Sequence, residues 1–177
     1  MNKKGDVLGI IIRYAILILV AIPNLWLFYL IFTPLTAYPV YWLLGIFYDA
    51  AILNSNIILI AQSIPIELIG ACIAGSAYYL LLILNLSTRE IALKKRIKML
   101  LWAFGTFLVL NIIRIFFLSL LVISNSKFLD ITHQIFWYAL STIFVVAIWF
   151  AEAKAFKIKS IPFYSDIKFL YKRIRTK

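Results

Sequence analysis

Residues 99–123 read MLLWAFGTFLVLNIIRIFFLSLLVI. In these 25 residues only one side chain is charged, Arg114. A helix needs about 20 apolar residues to cross a bilayer, so this run is long enough to span. An arginine at the centre of such a helix costs about 2.5–3.5 kcal/mol to insert, and by default it marks a functional position. The run therefore poses two questions: what surrounds it, and what Arg114 is for.

Three similar runs surround it: 7–32 (VLGIIIRYAILILVAIPNLWLFYLIF), 72–87 (CIAGSAYYLLLILNLS) and 132–152 (THQIFWYALSTIFVVAIWFAE). Across all 177 residues, 64% are hydrophobic and 14% are charged. Mean hydropathy is +0.99. Soluble domains are about 45–50% apolar and about 25% charged. Folding cannot hide the excess, because a chain of this size still exposes roughly a third of its unfolded surface. The composition excludes a soluble monomer and a disordered chain. It predicts an all-α, polytopic membrane bundle of four transmembrane helices in a single membrane domain.

The charge pattern sets the orientation. Of the 18 Lys and Arg residues, Lys3, Lys4 and Arg13 lie near the start, and Arg89, Lys94, Lys95, Arg96 and Lys98 in one loop. Eight more lie in the tail at 153–177. Lys and Arg mark cytoplasmic loops, and four crossings return both ends to that side. The formal net charge of +11 then reads as topology and a lipid-facing surface. Nucleic acid is not an expected partner, since no folded basic domain with stacking aromatics is present.

The first run lacks a clear cleavage site and reads as a retained anchor, kinked by Pro23. Residues 34–53 read as an aromatic-rich interfacial or re-entrant helix, because a fifth crossing would break the charge parity. Asn54, Ser55 and Asn56 signal a turn. The β-branched runs on either side of Gln62 and Ser63 predict an outer hairpin over 55–71, with Pro65 at an edge or strand start. In the tail, Ile167, Leu170, Tyr171 and Ile174 fall on one helical face opposite a basic one. That pattern fits a helix docked on anionic lipid, and a solvated tail fits it as well.

The single cysteine, Cys72, and the single histidine, His133, each have an ordinary reading, as a packing residue and an interfacial residue. Topology adds to this. Both begin helices that run inward from the outer boundary. Arg114 is fifteen residues into a helix that enters from the cytoplasm, or ~22 Å along a core of ~30 Å. All three thus fall near one outer plane. Asn111 lies one turn before Arg114 on the same face, and Glu67 lies on the approach to Cys72. A thiol activated by a base or a cation is a nucleophile. His133 can act as base or as the cation of an ion pair, and Arg114 offers fixed donors to an oxyanion. Together they describe acyl transfer through a thioester.

The stretches ELIGACIAGSAYY, VLNIIRIF and DITHQIF, over roughly residues 55–152, resemble the exosortase/archaeosortase family in a minimal, archaeal-type form. That family's cysteine motif often reads A-C-S/T-G-I, whereas this chain has ACIAG with its glycine at Gly75. The resemblance implies a multi-pass cell-membrane cysteine protease and transpeptidase with its active site facing outside. Its partners would be exported proteins carrying a C-terminal motif, a transmembrane helix and a basic cluster, which it cleaves and transfers to an acceptor such as a lipid amine. Cys72 would be the nucleophile, Arg114 the oxyanion or positioning group and His133 the acid/base, with Asn111 and Glu67 in supporting roles. No cofactor is implied. One histidine and no HExxH leave too few ligands for a zinc protease. A second reading is a non-catalytic assembly or transporter-subunit protein in which Arg114 is a structural or partner-pairing charge.

Overall fold

In the computed structural model, residues 3–22, 24–53, 56–136 and 141–175 are described. The chain is mainly helical with one small sheet. Its order is α1 (Lys3–Ala21), α2 (Trp26–Gly45), β1 (Ala50–Leu53), β2 (Ile57–Ile60), β3 (Ile64–Glu67), α3 (Gly70–Ile73), α4 (Gly75–Leu86), α5 (Leu93–Ile123), α6 (Leu129–Ile135), α7 (Ser141–Ala155) and α8 (Tyr164–Arg175). Two helices, α2 and α5, are long and apolar enough to cross a membrane. The other apolar helices are shorter.

Several boundaries differ from the sequence reading. The run 7–32 is two helices and not one kinked helix. Asn24 and Leu25 take left-handed backbone conformations (φ 49 and 59), which ends one helix and starts another. Pro23 itself lies outside the described residues. The second helix continues through Pro34 and Pro39 to Gly45, so most of 34–53 is the second half of α2 and not a separate interfacial helix. Apolar helices tolerate such prolines when neighbouring segments re-satisfy the freed carbonyls. The last residues of that stretch form β1.

β2 and β3 form an antiparallel hairpin, with Ile58 opposite Ile66 and Leu59 opposite Pro65. Ala61 and Gln62 turn it with positive φ, and Pro65 sits on an edge strand, where its missing N–H is harmless. The hairpin is extended by β1, which pairs with β2 from Ala50↔Ile60 to Leu53↔Ile57. AAIL was read as helix because a short apolar run has no period of its own. Ile58, Ile60 and Ile66 are buried, the period-two inner face of a one-sided sheet. Asn54 and Ser55, the first part of the turn signal, lie outside the described residues.

Helix α5 is the spine of the bundle and packs against α2, α4 and α7. At mid-height the core is aromatic. Tyr78 stacks on Phe32 (ring centroids 3.6 Å apart) and meets Phe107 edge-on at 4.8 Å. From Arg96 to Arg114, α5 rises ~27 Å, close to the thickness of a bilayer's hydrocarbon core.

One end of this spine is basic. Arg13 of α1 donates to the carbonyls of Leu86 (2.6 Å) and Thr88 (3.0 Å) and forms a two-oxygen pair with Asp166 of α8 (2.8 and 3.0 Å). Arg96 donates to the Asn85 carbonyl and to Thr88 O (2.9 Å). The last carbonyls of a helix have no intrahelical donor and attract cations, and these two arginines close the end of α4. Arg13 and Arg96, read from sequence as topology charges, are thus structural. Asp166 is 1% exposed, and Phe163 N–H reaches Ser87 O, so α8 is a helix pinned to the bundle and not a solvated tail.

Candidate functional site

The other end of the spine is organised around a break in the chain. The sequence reading began one continuous helix at Cys72. In the structure Cys72 lies in the single turn of α3, and Ala74 takes a left-handed conformation (φ 58, ψ 46) that separates α3 from α4. The break leaves the carbonyls of residues 71–73 without helical donors, and two side chains of α5 fill the gap. Asn111 Nδ2 donates to Cys72 O (3.0 Å) and Ile73 O (3.4 Å). Arg114 Nη2 donates to Cys72 O (3.3 Å) and Ala71 O (3.4 Å). The N-x-x-R spacing puts both groups on one face of α5, where they meet one helix end. A cation there is also favoured by the helix dipole.

The break needs small residues. A Cβ on Gly75 would lie 2.8 Å from Cζ of Tyr29, and one on Gly70 would touch the same ring. Close approach through small residues is a common device of helix contacts in lipid. Tyr29, from α2, is thereby fixed over the break. The sequence reading did not single it out. The signal was the run G-A-C-I-A-G-S-A, small at nearly every position, which calls for something large against it.

The Cys72 thiol is half-buried and lines a cavity of about 270 Å³. His133 lines the same cavity, with Glu67, Ile69, Ser119 and Leu129. Cysteine and histidine, 61 positions apart by number, thus face one space. His133 sits in α6. The run 132–152 falls on α6 and α7, and the stretch 137–140 between them lies outside the described residues. Glu67 is exposed on the edge strand β3 and borders the same cavity. Ser119 is 2% exposed and lines it too.

Arg114 lines a separate cavity of about 310 Å³, with Tyr29, Gly70, Ala71 and Ser76. Arg114 Nη2 donates to the backbone around the thiol. Asn111 is 2% exposed, and its Oδ1 is a buried acceptor with no donor among the described residues. Among the described residues no group of three His, Cys, Asp or Glu side chains is placed to hold a metal.

Fold and site together define a mainly helical protein with two membrane-length helices and one cavity shared by a thiol and an imidazole. No family model, no curated protein and no solved structure matches the chain.

Proposed function

We propose that the protein is a membrane-embedded cysteine transpeptidase of the exosortase/archaeosortase type. The observation that carries this reading is the cavity shared by Cys72 and His133, with the backbone of the nucleophile clamped by Asn111 and Arg114. In the reaction the thiol gives its proton to His133 and attacks the scissile carbonyl. The C–N bond breaks, the leaving amine takes the proton from His133, and a thioester remains on Cys72. An acceptor amine, such as one on a lipid, then attacks the thioester and restores the thiol. Arg114 supplies fixed positive charge beside the developing oxyanion and holds the turn that presents the thiol.

In this reading α1 and α2 in series, α3–α4, α5 and α6–α7 make four crossings. The basic end then faces the cytoplasm with both termini, and the thiol end faces outward. A substrate anchored by a C-terminal helix presents its motif just outside the bilayer, at the level of Cys72.

A specific observation also favours the non-catalytic reading. The Arg114 donor Nη2 is engaged with backbone carbonyls, as a purely structural arginine would be. Co-expression with a tagged protein ending in a motif, a transmembrane helix and a basic cluster separates the two. At equal levels of insertion, the enzyme reading expects processing by the native chain, none by Cys72→Ala and strongly reduced processing by His133→Ala. Full processing by Cys72→Ala would end it.

A further inference from the structure

The basic end carries a cavity that the thiol chemistry does not use. It measures about 450 Å³ and lies between the 87–92 loop and α8. Arg89, Lys159, Lys168 and Lys172 line it, opposed by one carboxylate, Glu90. Its walls are held in place. The Arg89 guanidinium lies 3.4 Å from the centre of the Phe169 ring, a cation–π contact that fixes a long side chain. Helix α8 is anchored from below by the buried Arg13–Asp166 pair. The Lys168 ammonium lies 5.7 Å from the Tyr164 ring centre.

The surface beside this cavity is apolar and uncovered. Tyr164, Ile167 and Tyr171 are all exposed, and their spacing puts them on one face of α8. Lys168 and Lys172 follow Ile167 and Tyr171 by one residue each, so cations and exposed apolar groups run side by side. A soluble anion would use the cations and leave the apolar stripe in water. An amphiphile uses both.

We infer that this cavity binds the phosphate-bearing headgroup of an anionic membrane lipid, with the stripe of α8 lying among its acyl chains. The four cations face the phosphodiester, and α8 lies in the plane of the interface. The site depends on the chain residing in a membrane and not on the reaction at the thiol end, so its test has no catalytic readout.

The test is lipid binding by the purified full-length protein in neutral detergent, followed by native mass spectrometry. The probes are phosphatidylglycerol, phosphatidylcholine and glycerol phosphate. Phosphatidylglycerol should be retained at one tight site, with phosphatidylcholine and glycerol phosphate at least about tenfold weaker. The variant K159Q/K168Q/K172Q should lose about tenfold or more of that binding, given the usual contribution of each cation near an anionic lipid. The variant K94Q/K95Q/K98Q removes the same charge away from the cavity and should stay within about twofold of the native chain. If the two triple variants lose binding equally, the site is only general basicity and the inference fails. If glycerol phosphate binds as tightly as phosphatidylglycerol, the ligand is a soluble phosphate ester and the lipid assignment fails. Should the first triple variant not fold, K168E alone must still weaken phosphatidylglycerol binding.

Discussion

The two ends of the bundle solve one problem with one residue type and reach different results. At each end a helix stops inside the structure and leaves carbonyls without donors. At the basic end Arg13 and Arg96 take the carbonyls of Asn85, Leu86 and Thr88. At the thiol end Arg114, with Asn111, takes those of Ala71, Cys72 and Ile73. Arg13 is also closed by the carboxylate of Asp166. Arg114 instead opens on a cavity and holds the backbone of the only thiol. An arginine buried in an apolar run is therefore not by itself a sign of chemistry. What separates the two ends is what lies past the carbonyls: a docked helix at one, a thiol and an imidazole at the other.

The largest effects should come at the thiol end. Cys72→Ala removes the nucleophile and should abolish processing. His133→Ala should lower the rate by about 10²–10⁴-fold, the usual worth of a positioned acid/base group. Thermal unfolding of both variants should stay close to the native curve. Large destabilisation by either would mark them as packing residues.

The arginines give the sharpest contrast. Arg13→Ala removes the cation that pairs with the buried Asp166, which should cost about 3–5 kcal/mol. Processing per folded molecule should be unchanged. Arg114→Ala strands carbonyls, at about 1–3 kcal/mol, and should abolish processing. Melting and processing assays on both variants test this crossing of effects. If both only destabilise, the ends are equivalent and Arg114 is structural.

Smaller effects test the supports. Gly75→Ala drives a methyl into the Tyr29 ring and should cost about 1–3 kcal/mol, as overpacking does. The Gly75→Ala/Tyr29→Leu double variant should recover part of it. Near the basic end, Glu152 is fully buried, and its Oε2 accepts from Asn85 Nδ2 at 3.0 Å. Among the described residues Glu152 Oε1 and Asn85 Oδ1 are both buried acceptors without donors. Glu152→Gln offers an N–H to such an acceptor, so it should be neutral or mildly stabilising. Glu152→Ala leaves Asn85 Nδ2 with the Leu81 carbonyl alone and should cost about 1–3 kcal/mol. Denaturation midpoints decide between them.

These contrasts also mark what the sequence could show. The apolar runs and the β-branched pair around Gln62 and Ser63 were legible because each carries its own period or turn residues. The break at Ala74 was not, because nothing in A-C-I-A-G forces a left-handed alanine. That conformation is held by Asn111, Arg114 and Tyr29 from other helices. The shared outer plane of Cys72, Arg114 and His133 was inferred from helix direction. The structure brings Cys72 and His133 to one cavity and gives Arg114 the turn behind the thiol. Arg13 and Arg96 also close the end of α4, a role the sequence does not show because carbonyl partners are invisible until the helices pack.

The central claim is a covalent acyl-enzyme on Cys72, and intact-mass spectrometry of the purified protein with a substrate peptide tests it most directly. The expected result is an adduct on Cys72 equal to the N-terminal product fragment less one water. It should be released by hydroxylamine, absent from Cys72→Ala, and accumulate when the acceptor amine is withheld. Cleavage of the peptide with no adduct, or cleavage by Cys72→Ala at the native rate, would contradict the account.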